Sequence, residues 1–224
     1  MVRVRVSIGY LMLGLLTVAA LAGAVAGIAW SPGPQPVGLE RAVAATRSLT
    51  TYAVSTTVLT SPVPTAGATS QIPSLTSYLT VTPVAARLGV QTTPVTGGSA
   101  TLTSMSAAGD QLVTSVTTGR VTTTTQTTAP DAISRLAAGF DHYLSLIASA
   151  SNVTWRGNTY TFSVPAREVA QPGLPGFTVD QARASMAVTV VGGTIGTITV
   201  AMTGYGATQY QTIHVTAPAR PGQF

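Results

Sequence analysis

The last third of the chain holds two apolar runs with period-two alternation, separated by a glycine pair. The alternating apolar residues are Met186, Val188, Val190, Ile198, Val200 and Met202. This alternation is typical of strands with one dry and one wet face. Gly192-Gly193 between the runs can adopt the positive φ that a tight hairpin turn requires. Because an isolated hairpin is marginally stable in water, earlier segments must complete a larger sheet.

Further strands are predicted before and after this hairpin. The segments are Thr51–Thr60, Ser77–Val90, Ala100–Ser106, Gln111–Thr118, Val121–Thr128, Val153–Trp155, Thr159–Val164 and Tyr210–Val215. Pro83 predicts a break in the second segment, because proline cannot donate to a central ladder. The threonine run within Val121–Thr128 is read as a strand because threonine is β-branched, the alternative being a disordered polar tract. Ser61–Ser74 and Pro165–Gly176 are predicted loops, and Val179–Ala184 is a predicted helical turn.

Two helices are predicted, over Gly38–Ser48 and Ala129–Ser149. The apolar stripe of the second consists of Ile133, Leu136, Ala137, Phe140, Leu144 and Ile147. Steps of three and four residues place such a stripe on one face of a helix. Thr128 and Asp131 resemble a capping pair at the start of this helix. The expected fold class is therefore α+β, with an antiparallel sheet and an amphipathic helix packed on it.

The N-terminal segment is predicted to be an export signal or a membrane anchor. Arg3 and Arg5 precede an uncharged run from Val6 to Trp30. As a helix this run would be roughly 37 Å long at about 1.5 Å per residue, enough to span a bilayer. Ala24-Val25-Ala26 also fits a signal-peptidase cleavage site. Both alternatives, for residues 1–30, place the remainder outside the cytoplasm, beyond a proline-rich linker at 31–37 and ending in a loose tail at 219–224.

Composition and motifs argue against several chemistries. The chain has no cysteine, so disulfides and thiolate sites are excluded. Its basic residues are scattered, whereas nucleic-acid binding needs a clustered basic face. His142 and His214 lack an acid at a metal-ligand spacing, and Gly192–Gly196 has no P-loop lysine. We therefore expect no enzyme activity, metal or cofactor, although Asn152 begins a formal glycosylation sequon in organisms that use it.

Three segments carry a resemblance to a known family. They are Leu39–Tyr52, a helix running into a strand, Met186–Val200 in the final hairpin, and Ile213–Pro218, the closing strand. The middle meander between the first two segments is also similar. In this the chain resembles the bacterial lipoprotein-carrier superfamily of LolA-like and LppX-LprG-like proteins. The resemblance implies that residues 38–218 form a curved antiparallel half-barrel covered by helices, with acyl chains held between sheet and helices. Actinobacterial members are anchored through a lipidated cysteine, which is absent here, so an uncleaved Val6–Trp30 helix would replace it.

The leading hypothesis is an exported, non-catalytic cell-envelope protein that binds a lipid or another apolar ligand. The candidate cavity residues are Phe140, Leu144, Ile147, Val188, Val200 and Met202. The partners expected are the membrane, through residues 6–30, and the apolar ligand, with no nucleic acid. One alternative is a structural or interaction protein, such as a β-rich filament or surface-layer subunit whose edge strands pair between chains. Another is a sensory ectodomain.

Overall fold

The computed structural model describes residues 37–62, 74–93, 99–169, 183–204 and 207–217. The helices are α1 (Val37–Arg47), α2 (Ala132–Ala148) and α3 (Ala166–Val169). The strands are β1 (Tyr52–Pro62), β2 (Ser74–Val81), β3 (Ala85–Thr93), β4 (Thr101–Ala108), β5 (Gln111–Thr118), β6 (Val121–Thr128), β7 (Thr154–Arg156), β8 (Thr159–Pro165), β9 (Arg183–Val191), β10 (Thr194–Gly204) and β11 (Ala207–Thr216). The chain is therefore mostly sheet, with few helices.

The strands form one large open antiparallel sheet of eleven strands. Their order is β6-β5-β4-β3-β2-β1-β11-β10-β9-β8-β7. Two meanders, β1 to β6 and β7 to β11, are joined where β1 pairs with β11. Since β6 and β7 are the two edge strands, the chain segment that contains α2 connects one edge of the sheet to the other. The predicted antiparallel sheet is confirmed.

Two predicted turns are confirmed with their physical reasons. Gly192 and Gly193 have φ of 59° and 83°, a region that L side chains rarely adopt, and they join β9 to β10. At Pro83 the predicted break separates β2 from β3, and the Thr82 N–H donates to the Ala85 carbonyl at 2.8 Å. Both turns follow from local backbone chemistry, which explains why sequence patterns located them.

Several predicted boundaries are wrong. Strands β1 and β2 extend into the predicted loop Ser61–Ser74, because pairing continues to Pro62↔Ala207 and Ser74↔Thr93. Arg183 and Ala184 belong to β9, where they pair with β8, and not to a helical turn. The four-residue helix α3 lies in the predicted loop Pro165–Gly176. In each case cross-strand or tertiary partners extend structure beyond the local signal.

The two longer helices bury the faces that their spacing predicted. On α1 these are Leu39, Ala42, Val43 and Thr46. On α2 the stripe from Leu136 to Ile147 is buried and Ile133 is half-buried. The predicted capping pair is wrong: Asp131 is the N-cap in a left-handed conformation, with φ 62°, and its side chain makes no capping hydrogen bond.

The two faces of the sheet differ in chemistry, because paired residues share a face. The face carrying Tyr52, Val54 and Val58, here called the inner face, is largely apolar. The opposite face is rich in threonine and serine. On β9, β10 and β11 the inner-face apolar side chains are nearly all buried. On β2 to β5, by contrast, the residues Leu75, Leu88, Val90, Met105 and Leu112 are only half-buried. The inner-face side chains are therefore less buried on β2 to β5 than on β9 to β11.

Some predictions lie outside the described residues. These are the N-terminal segment 1–30, most of the linker 31–37, most of the loops Ser61–Ser74 and Pro165–Gly176, residues 179–182 of the predicted helical turn, and the tail 219–224. Among the helices that are described, none combines the length and apolar character that a membrane crossing requires.

Candidate functional site

A cavity of about 480 Å³ lies beside the N-terminal part of α2. The end of α1, the start of β1, the β2–β3 turn and the β4–β5 turn complete its wall. Its lining residues are Thr46, Arg47, Leu49, Tyr52, Val81, Pro83, Gly109, Asp110, Asp131, Ile133, Ser134, Ala137, Phe140, Asp141 and Leu144. This volume falls in the range typical of small-molecule sites, about 300–1,000 Å³.

One part of the cavity wall is apolar. Val81, Ala137, Phe140 and Leu144 are buried side chains that line it. The rings of Phe140 and Tyr52 lie 5.6 Å apart, centroid to centroid, at an interplanar angle of 44°. Tilted aromatic pairs at this separation attract each other beyond their simple burial of area. This part of the wall is therefore built from apolar side chains that offer few polar partners.

The rim of the cavity is charged and exposed. Asp110, Asp131 and Asp141 contribute carboxylates, and Arg47 contributes the guanidinium. Arg47 donates through Nη2 to the Ser145 hydroxyl at 2.9 Å, which holds its side chain along α2. The combination of an apolar wall and a polar rim suits an amphiphile, whose tail would enter while its head stays wet.

Tyr52 connects the wall to the rim. Burial raises the pKa of its hydroxyl, and the negative charge of Asp141 raises the pKa further. Both effects oppose formation of the phenolate, because they disfavour a second negative charge in a partly dry place. Tyr52 is thus neutral at physiological pH and can donate a hydrogen bond to an oxygen at the mouth.

Local hydrogen bonds position the helices around the cavity. The Ala129 N–H donates to the Asp110 carbonyl at 2.8 Å, which ties the start of the α2 connection to the β4–β5 turn. The Thr46 hydroxyl donates to the Ala42 carbonyl at 2.7 Å and accepts the Ile195 N–H at 2.8 Å. This buried hydroxyl therefore links the last turn of α1 to β10 by a hydrogen bond. The cavity wall is therefore built on fixed elements.

The six residues proposed from the sequence fall into two groups. Phe140 and Leu144 line the cavity. The other four are 0–1% exposed in the packed core and are not among its lining residues; they are Ile147, Val188, Val200 and Met202. The structure thus brings Phe140 and Leu144 to the cavity and places Ile147 and the three strand residues in the buried core.

Sequence reasoning missed a buried amide pair on β11. Gln209 and Gln211 are both 0% exposed and lie on the inner face with Ile213. Tyr143 donates through its hydroxyl to Gln211 Oε1 at 2.6 Å, and Gln211 Nε2 donates to the Val169 carbonyl at 2.6 Å. The sequence pattern could have identified them, because residues 209, 211 and 213 alternate along one strand and so lie on the same face as the buried Ile213.

The polarity of this amide pair is fixed by one carbonyl. The carbonyl oxygen of Val169 can only accept, so Nε2 of Gln211, and not Oε1, must face it. The second hydrogen on Nε2 is donated to Gln209 Oε1 at 3.0 Å. Because Oε1 of Gln209 faces Gln211, Nε2 of Gln209 points away from Gln211, and no described group accepts its hydrogens. The network therefore ends in one buried donor without a partner among the described residues.

The histidines make ordinary polar contacts. His142 Nε2 lies 2.9 Å from the Glu168 carbonyl, which can only accept, so this nitrogen carries the proton. His214 Nδ1 lies 3.2 Å from the Thr197 hydroxyl on the outer face. Within the described ranges, no group of three or more histidine, cysteine, aspartate or glutamate side chains is placed to hold a metal.

Comparison of the chain with protein-family models finds no match, and comparison with curated proteins finds no significant match.

Proposed function

We propose that the chain is an exported cell-envelope protein that binds a lipid or similar amphiphile between the inner face of its sheet and α2, without covalent chemistry. The carrying observation is the cavity with an apolar wall at Phe140 and Leu144 and a charged rim. Burying a tail there would remove apolar surface from water, which stabilises the complex by roughly 25 cal/mol per Å² before the costs of association.

The half-buried inner face supports the same proposal. Leu88, Met105 and Leu112 pack against the edge of the core yet retain solvent-accessible surface. An apolar chain leaving the cavity along these strands would cover that surface. The resemblance to lipoprotein carriers, in the segments quoted above, points to the same kind of ligand.

A curved, half-barrel sheet with helices over its open side is part of this proposal. In a flat sheet of eleven strands the edges β6 and β7 would stand roughly 48 Å apart. The helix α2 in their connection is about 25 Å long. Curvature would bring the edges together and would deepen the space beneath α2. Attachment through residues 6–30, or secretion after their removal, would place this domain outside the cytoplasmic membrane.

The test is organic extraction and mass spectrometry of the full-length chain purified from its own host. Co-purified lipid is expected in the wild type, and Ile133→Glu should reduce it at least about tenfold, because a charge in the wall opposes an apolar tail. Val190→Glu is the matched control: Val190 is also half-buried but does not line the cavity. Equal retention in the two variants, or a lipid-free wild type, contradicts the proposal.

The same preparation addresses the structural alternative. Size-exclusion chromatography and electron microscopy would show discrete lipid-loaded particles if the chain is a carrier. Lipid-free polymers would favour the surface-subunit hypothesis instead.

A further inference from the structure

Among the described residues, β6 has a neighbouring strand on one side only. Val121–Thr128 pairs with β5 on one side, and all eight of its side chains are exposed. Natural edge strands are usually protected by charges, prolines, bulges or shortness. The strand contains no charged residue and no proline, and its pairing with β5 has no register shift. Within the part of the chain that the structure describes, its outer edge is therefore an unprotected row of backbone donors and acceptors.

The register shows which residues present these groups. The Ala129 N–H donates to the Asp110 carbonyl, one step beyond the Gln111↔Thr128 pair. Hydrogen-bonded pairs alternate along an antiparallel ladder, so the odd-numbered residues of β6 bond to β5. The even-numbered residues direct their N–H and C=O groups outward; they are Thr122, Thr124, Gln126 and Thr128.

We propose that β6 binds the β6 strand of a second copy, antiparallel and centred on Thr125, to give a closed two-fold dimer. A two-fold axis perpendicular to the sheet places the inner faces of the two copies on the same side. Residues that pair across the axis must then lie on the same face, so both have odd numbers or both have even numbers. Centring on Thr125 pairs Thr122 with Thr128 and Thr124 with Gln126 of the second copy. Every outward backbone group of β6 then has a partner. This inference does not depend on the lipid-binding proposal.

The side chains of β6 suit such pairing. Across β5 and β6, the hydroxyls of Ser115 and Thr124 lie 3.0 Å apart, and those of Thr117 and Thr122 lie 2.9 Å apart. Hydroxyl pairs of this kind are favourable cross-strand contacts. The same residue types would meet across the new interface, and with no charge on β6 the two copies have no like-charge repulsion there.

The opposite edge favours closure over polymerisation. An open filament needs two different complementary surfaces on each copy. Strand β7 spans only Thr154–Arg156 and includes a charged residue, so it is a poor template for an eight-residue strand. A pair of β6 strands uses the same surface twice and leaves no long edge for further addition.

The register is tested by a single engineered cysteine, because the chain has none of its own. At the axis the two copies of residue 125 form a non-hydrogen-bonded pair with Cα atoms about 4.5 Å apart, within the disulfide range of roughly 4.4–6.8 Å. Thr125→Cys should therefore give a disulfide dimer of the full chain under oxidation. Thr123→Cys is the control, since its two copies would lie roughly 13 Å apart. Equal crosslinking of the two variants overturns the proposal.

Proline at an outward position provides the second test. Thr124→Pro removes an N–H that β5 does not use, so the sheet should survive while the dimer is lost. Thr124→Val keeps the N–H and should dimerise like the wild type. Sedimentation velocity in detergent measures association, and circular dichroism checks the fold. A monomeric wild type at all concentrations, or a Thr124→Pro chain that dimerises normally, would refute the pairing.

Discussion

Substituting leucine for the two buried glutamines of β11 should give opposite results, although both residues are 0% exposed and lie two positions apart. Gln211 holds three contacts, with the Tyr143 hydroxyl, the Val169 carbonyl and Gln209 Oε1. Gln209 holds the last of these and carries the donor that no described residue accepts. The difference lies in how many buried polar groups each substitution deprives of a partner.

The magnitudes follow from counting those groups. Gln211→Leu deprives two buried acceptors, the Val169 carbonyl and Gln209 Oε1, of their donor. A deprived buried group costs about 1–3 kcal/mol, so the loss should be about 2–5 kcal/mol. Gln209→Leu deprives only one N–H of Gln211, and it removes a donor whose own cost is similar. That change should therefore lie within about 1 kcal/mol of neutral, aided by the apolar side chain.

Urea unfolding followed by circular dichroism measures the contrast. The midpoint should fall strongly for Gln211→Leu and little for Gln209→Leu, with unchanged dependence on urea concentration in both. Comparable losses for the two variants would refute the reasoning, because they would mean that Nε2 of Gln209 already has a partner of full strength.

Three further predictions concern α1, the cavity mouth and the strands. Thr46→Val should lower stability by about 2 kcal/mol, because it leaves the buried Ile195 N–H without its acceptor, whereas Thr46→Ser keeps the hydroxyl and should lose about 1 kcal/mol; thermal unfolding compares them. Because the pKa of Tyr52 is raised on folding, the folded state keeps the hydroxyl proton to a higher pH than the unfolded state, whose pKa is 10.0. The free energy of unfolding should therefore fall as pH rises above 10.0, and this part of the decline should be absent in Tyr52→Phe when urea midpoints are compared across alkaline pH. Gly89→Ala should leave the stability of the fold unchanged or slightly raised, because a Cβ there meets nothing within 4 Å. Gly196→Ala should lower it, because the new Cβ would lie 2.8 Å from a side-chain carbon of Val191. Urea midpoints of the two variants test this contrast.

Much of the fold is local and was therefore predictable. The turn at Gly192-Gly193 and the break at Pro83 depend on the backbone preferences of those residues alone. The pairing of β1 with β11 joins segments about 150 positions apart, and nothing local to either strand specifies it. The same pairing extends β1 through Ser61 and Pro62, where the local pattern indicated a loop.

The candidate site was predictable only in part. Phe140 and Leu144 were found because helical spacing identifies the buried face of α2. Spacing does not say which buried side chains border a cavity, since that depends on how closely α2 approaches the sheet. Ala86 and Ala107, both buried, lie on the inner face of β3 and β4, two of the strands that α2 contacts, and no spacing rule applied to α2 takes them into account.

The unequal burial of the inner-face side chains distinguishes residues that stabilise the fold from residues that would contact a ligand. Met186 and Ile198 have already lost nearly all their water contact, so truncating them should damage folding, as cavity-creating substitutions do in any close-packed core. Leu88 and Met105 retain exposed area, and truncating them forfeits less folding energy but removes surface that an apolar ligand would cover. If the proposed function is right, binding variants should therefore map to the β2–β5 half and to α2. Variants that unfold the chain should map to β9–β11 and α1.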